Sequence, residues 1–285
     1  MRRSGMSRFV FPFVLCSILV ASSPVVHAIP KVVGGKVADA GQIAQDIASA
    51  GRLRMQSQRL AKLYLQAGIG LKAGLARQQI DATIGEVDAE FVRLARYGQK
   101  STVQRVYARS EALWQEMRVA ATKAPDIAAV ERFNQIADDM MVHTGKLAML
   151  IEGEGETPIG RLLDLSSRLN MLSQRLARLY LQAYGGNQTQ GILVDIEQAR
   201  KEFASGLLEL DMARENSPAS RDAIGLARNQ WVFFDSSISE LSKIGRREER
   251  AAQNVISSSE RIAQVLDQTS LQYIKDFTEG SRSNR

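Results

Sequence analysis

A stretch of sixteen residues occurs twice in this chain, and that repetition limits the folds open to it more than any other feature. Arg52–Ala67 and Arg168–Ala183 agree at 13 of 16 positions, at a spacing of 116 residues. Both copies read as helices. At about 100° per residue, Leu53, Gln56, Ser57, Leu60, Leu63, Tyr64 and Ala67 share one face, matched by Leu169, Leu172, Ser173, Leu176, Leu179, Tyr180 and Ala183. A period this long exceeds that of short-repeat solenoids and predicts two copies of a whole small domain. Glu90-Phe91 recurs as Glu202-Phe203 and Trp114 as Trp231, and each tryptophan is expected to anchor the core of its repeat.

Punctuation along the chain predicts the helices. After an extended lead over 29–37, Asp39 caps a first helix with Gln42 as capping-box partner; it stops at Gly68 and Gly70. Helices follow over about 77–97 and 101–122, then from Pro125 in a first turn to about Glu152. Gly153-Glu154-Gly155-Glu156 reads as a solvated connector. Thr157 with Pro158 restarts a helix that ends at Gly185-Gly186, followed by helices over about 188–214, 218–244 with Ser217 as cap, and 246–277. Hairpin turns and alternating β-branched runs are missing. The expected fold is all-α: two tandem antiparallel four-helix bundles related by internal duplication, residues 39–152 and 157–277.

Residues 1–28 read as a secretory signal peptide. Arg2, Arg3 and Arg8 flank an apolar run, and Val26-His27-Ala28 supplies a small-residue cleavage site. The run is too short and too interrupted for a comfortable membrane span, although an uncleaved anchor stays open. Cleavage would remove the only cysteine, Cys16, and lower the formal charge from +6 to +3, so the basic balance belongs partly to the leader and argues little for nucleic acid. The expected product is exported and periplasmic.

A second stripe lies beside the core stripe of the repeated helix: Arg54, Gln58, Ala61 and Leu65, against Asn170, Gln174, Ala177 and Leu181. One apolar stripe suffices to join a bundle, so the second predicts a second contact, with the two repeated helices facing each other across a pseudo-twofold axis. Arg54 is then either an anion contact, with Gln58, Asn170 and Gln174 as neutral donors, or a cation that is solvated or paired with an acid on a neighbouring helix. Arg52, Arg168, Arg59 and Arg175, on the more polar side, read as salt-bridge partners.

The box from Ala50 to Leu60, with Leu53-Arg54-Met55-Gln56-Ser57 at its centre, resembles that of the periplasmic domain of NarX-type nitrate sensors. Met171-Leu172-Ser173-Gln174-Arg175-Leu176-Ala177 is similar to the version in the PilJ-type N-terminal domain of type IV pilus chemotaxis transducers. The specific likeness covers about 17 residues per repeat. It implies a sensing or binding module for a small inorganic anion, nitrate or nitrite first, held between the two first helices with Arg54 in the ligating place. The second copy departs from that pattern at Asn170, and loss of one charged donor would cost ~1.5–3 kcal/mol of binding. The alternative is a structural or partner-binding helical protein that kept the fold and lost the ligand. A membrane-bound sensor or transducer is the implied partner, and a homodimer stays open.

No enzyme is expected. Without the leader the chain holds one histidine, His143, and no cysteine, so neither a metal site nor thiol chemistry is predicted, and no cofactor motif is present. Arginines on amphipathic helices without an aromatic platform argue against nucleic acid.

Overall fold

In a computed structural model of the chain, residues 32–154, 157, 159–239 and 248–283 are described, with side chains between 40 and 279. The leader, Pro158 and the last residues expected of the seventh helix lie outside this set. Among the described residues there is no strand. Eight α-helices follow one another: α1 (Val32–Gly68), α2 (Ala73–Leu94), α3 (Gln104–Ala121), α4 (Ile127–Glu152), α5 (Gly160–Tyr184), α6 (Gln190–Asp211), α7 (Pro218–Ser239) and α8 (Glu249–Ser283), with a 3₁₀ segment at Ala95–Gln99 after α2.

Several boundaries differ from the sequence expectation, for identifiable reasons. α1 begins at Val32, so Asp39 lies inside the helix instead of capping it, and Gln42 donates to Asp46. With no proline after Pro30, nothing obliges the helix to wait for Asp39, and Gly34-Gly35 only weakens it. Asp126 takes the capping place expected of the Pro125 turn, accepting from the Ala129 amide at 2.8 Å. Thr157 caps nothing, since α5 starts at Gly160 with Ile159 before it. Glu154 is no free connector charge: Lys100 Nζ donates to it at 2.9 Å and the Thr102 hydroxyl also donates. Ser217 Oγ accepts from the Ser220 amide at 3.1 Å at the start of α7, and Gly70, at φ 80°, turns the chain out of α1.

The helices pack in two groups, α1–α4 and α5–α8, joined along α1 and α5. Within the groups, α1 runs antiparallel to α4 and α5 to α8: Gln58 reaches Ala137 while Tyr64 reaches Lys123, and Ser166 reaches Leu266 while Gln174 reaches Ser259. α1 and α5 run parallel. Gly51 lies against Ser167 and Ile69 against Gly185, both at the 116-residue offset of the sequence repeat. These two helices are enclosed on nearly every side, so a single apolar core passes through both groups. Trp114 is buried and its indole N–H donates to Asp88 at 2.8 Å. Trp231, half-buried, stacks on Phe203 with ring centroids 4.3 Å apart.

α1 approaches α5 tightly at Gly51, where an added Cβ would stand 2.5 Å from the Ser167 Cβ. Gly51→Ala is expected to destabilise the fold by about 1–3 kcal/mol through overpacking. Ser167→Gly in the same chain should recover most of the loss, and thermal melts of the single and double variants check it.

Candidate functional site

The seam between α1 and α5 is where the repeated segments meet, and a buried polar group there requires a partner. The second stripe of each segment is enclosed: Gln58, Ala61, Leu65, Asn170, Gln174, Ala177 and Leu181 are buried, and Arg54 keeps 18% of its side-chain surface. The residues named from sequence do not form one constellation. Arg54 turns toward α4, its guanidinium packed over Gly145, with Nη1 3.5 Å from Asp164 of α5 and Nε buried without a partner among the described residues. Burial pulls its pKa down, Asp164 opposing and Arg168 adding to the fall. Gln58 donates to the Ala137 carbonyl and to Asp138 Oδ1, each at 3.1 Å. Asn170 turns away to α8, donating to the Ala263 carbonyl at 3.1 Å, and Gln174 donates to the Ser259 carbonyl at 2.9 Å. None of the four lines a described cavity.

The strongest electrostatic feature of the seam lies one turn further on. Lys62 of α1 has no exposed surface, and its ammonium donates to Gln174 Oε1 at 2.7 Å, to Ser259 Oγ at 3.2 Å and to Glu260 of α8. Its counterpart in the repeat, Arg178 of α5, is equally deep and donates to Asp138 at 2.8 Å and toward the Asn134 carbonyl of α4 at 3.4 Å. Each cation therefore crosses from its own helical group to the last helix of the other. Burial alone would raise the Glu260 carboxyl, but Lys62 and Arg59 overcome it and hold the pKa at about 2. Burial likewise dominates at Lys62 and lowers its pKa, with Glu260 opposing.

Sequence reasoning passed over Lys62 and Arg178, although the signal was present. Arg54, Gln58 and Lys62 are spaced i, i+4, i+8, so a cation continues the stripe in both copies. The other repeated arginines form ion pairs. Arg52 forks onto Glu90 at 2.5 and 3.1 Å and Arg168 reaches Glu202 at 3.2 Å; Arg59 binds Glu260 at 2.9 Å and Arg175 stands 3.5 Å from Asp195. His143 Nδ1 lies 2.8 Å from the Asp139 carbonyl of its own helix. Among the described residues no group of three or more His, Cys, Asp or Glu is placed to hold a metal ion.

Residues 37–135, spanning α1 through the first turns of α4, match the family described as Type IV pili methyl-accepting chemotaxis transducer N-term, PilJ. The match supports the PilJ family. The matched stretch, about a third of the chain, is that of a sensory, signal-transducing domain. Comparisons with curated proteins and with solved structures give no match. Among the described residues, no helix is long and apolar enough to cross a membrane.

Two measurements test the electrostatics of the seam. Glu260, depressed in the fold, contributes about 3 kcal/mol that is fully present above its ordinary carboxylate pKa and is lost as pH falls toward 2. Denaturant melts through this range should show an acid limb that Glu260→Gln flattens. Lys62→Met should cost about 3–5 kcal/mol. Arg178→Met should cost less, because its partner Asp138 keeps 44% of its side-chain surface while Glu260 keeps 19%.

Proposed function

We propose that this protein is an exported, periplasmic sensory component of the PilJ type, whose α1–α5 seam transmits a change of helix packing to a membrane-bound transducer and is closed to a ligand by its own charges. One observation carries this reading: apart from Arg54 Nε and Arg178 Nε, the seam donors are engaged by carboxylates and carbonyls of α4 and α8, Lys62 with Glu260 and Arg178 with Asp138 foremost. In a NarX-like arrangement two arginines would converge on an anion at the dyad. In this chain Arg54 faces Asp164, while Asn170 is turned to the opposite flank against α8.

The second reading keeps anion sensing, with nitrate or nitrite as ligand and Arg54 as the central contact. The feature in its favour is Arg54 Nε, buried and without a partner among the described residues, together with an Nη1–Asp164 distance at the outer limit of a hydrogen bond. An anion there would have to displace Asp164 and draw on Arg168 nearby.

Calorimetric titration of the leaderless chain with nitrate and nitrite separates the two. The closed-seam reading expects no saturable binding by the wild type and none by Asp164→Asn. Saturable binding that Arg54→Ala removes would replace it with the anion reading. Because Asp164 competes for Arg54, Asp164→Asn would then bind more tightly than the wild type, by about tenfold.

A further inference from the structure

On the side of α1 away from Arg54, a groove of about 320 Å³ opens between α1, α2 and α8. Four carboxylates line it, Glu86, Glu90, Glu260 and Asp267, together with the guanidinium groups of Arg52 and Arg59. The two arginines are already committed. Arg52 forks onto Glu90 at 2.5 and 3.1 Å, and Arg59 gives Nε and Nη2 to Glu260 at about 3 Å. Lys62 saturates Glu260 further from below.

Glu86 and Asp267 are left without a cation at hydrogen-bonding distance among the described residues. Glu86 accepts only the amide of Gln56, at 2.5 Å, with Arg59 Nη1 standing off at 3.6 Å. Asp267 has Arg52 Nη1 at 3.9 Å. Burial raises the Asp267 pKa, Arg52 opposing, and Glu90 and Glu86 add to the rise.

An independent feature points to an occupant. Gln56 lines the groove and is 6% exposed; its Nε2 is spent on Glu86, and its Oε1 has no hydrogen-bond partner among the described residues. A buried carbonyl oxygen without a donor is unfavourable, and two under-neutralised carboxylates beside it call for positive charge. A group that answers both needs must carry N–H donors. Among the described residues no three carboxylates are placed to hold a metal ion, which favours positive charge spread over a small organic framework.

We propose that this groove binds a small organic cation of the alkyl diamine class, with Gln56 Oε1, Glu86 and Asp267 accepting its N–H groups. α2 and α8 belong to different helical groups, so an occupant ties the groups together on this face. It also sits on Glu260, the acid that holds Lys62 in the seam, which connects occupancy of the groove with the packing of α1 against α5. The inference is independent of whether Arg54 takes an anion.

The experiment is calorimetric titration of the leaderless chain with 1,4-diaminobutane, repeated with Asp267→Asn and Gln56→Leu and in the presence of magnesium ion. Saturable binding by the wild type is expected, weakened about tenfold or more by each substitution and insensitive to magnesium. Three results would overturn the proposal: no saturable binding by the wild type, binding unchanged in both variants, or displacement by magnesium at concentrations equal to the diamine. Thermal melts establish that the variants are folded. Glu86→Gln, on a residue with 53% of its side chain exposed, gives the same reading should the substitution at buried Gln56 or half-buried Asp267 unfold the chain.

Discussion

A cation without solvent must find its counter-charge inside the protein, and Lys62 and Arg178 impose that condition on the middle of this fold. α1 and α5 can lie parallel and fully enclosed only because α8 brings Glu260 and Ser259 to one of these cations and α4 brings Asp138 and the Asn134 carbonyl to the other. The positions of α4 and α8 are thereby constrained by charge as well as by apolar packing. The difference between the two cations suits their surroundings. Lysine is a compact charge with three donors, and it meets three acceptors arranged around a point; arginine is a planar fork, and it meets a carboxylate and a carbonyl on one helix.

The all-α class, the order of the eight helices and most of the core were legible because they follow from apolar spacing and from glycine, proline and capping residues. Leu53, Leu60, Leu63 and Tyr64 are buried as the wheel requires, and their counterparts from Leu169 to Tyr180 are too. Helix starts were less legible, since a glycine pair raises the cost of a helix without forbidding it, and α1 runs through Gly34-Gly35.

Long-range pairing was the part the sequence concealed. Reading Arg54 against Asn170 assumed that the same position in two copies must face itself across the seam. That holds where Gly51 meets Ser167, which are equivalent positions, but three residues on Arg54 leans to α4 and its counterpart Asn170 leans to α8. Helical rotation turns those two side chains to opposite flanks. Nothing in local spacing could have named Glu260 as the partner of Lys62, because the acid lies on the last helix, 198 residues away. A lysine that follows an arginine and a glutamine along one stripe reads as a surface residue until that helix is in place.

The crossing of the two cations also bears on how copies of this chain can associate. The contacts that close the seam require an α1–α4 unit beside an α5–α8 unit, and they do not require both units to come from one polypeptide. Two chains exchanging their second halves would form the same hydrogen bonds among α1, α4, α5 and α8. Lys100 and Thr102 hold Glu154 to the first half, so an exchanged chain would have to turn beyond that residue.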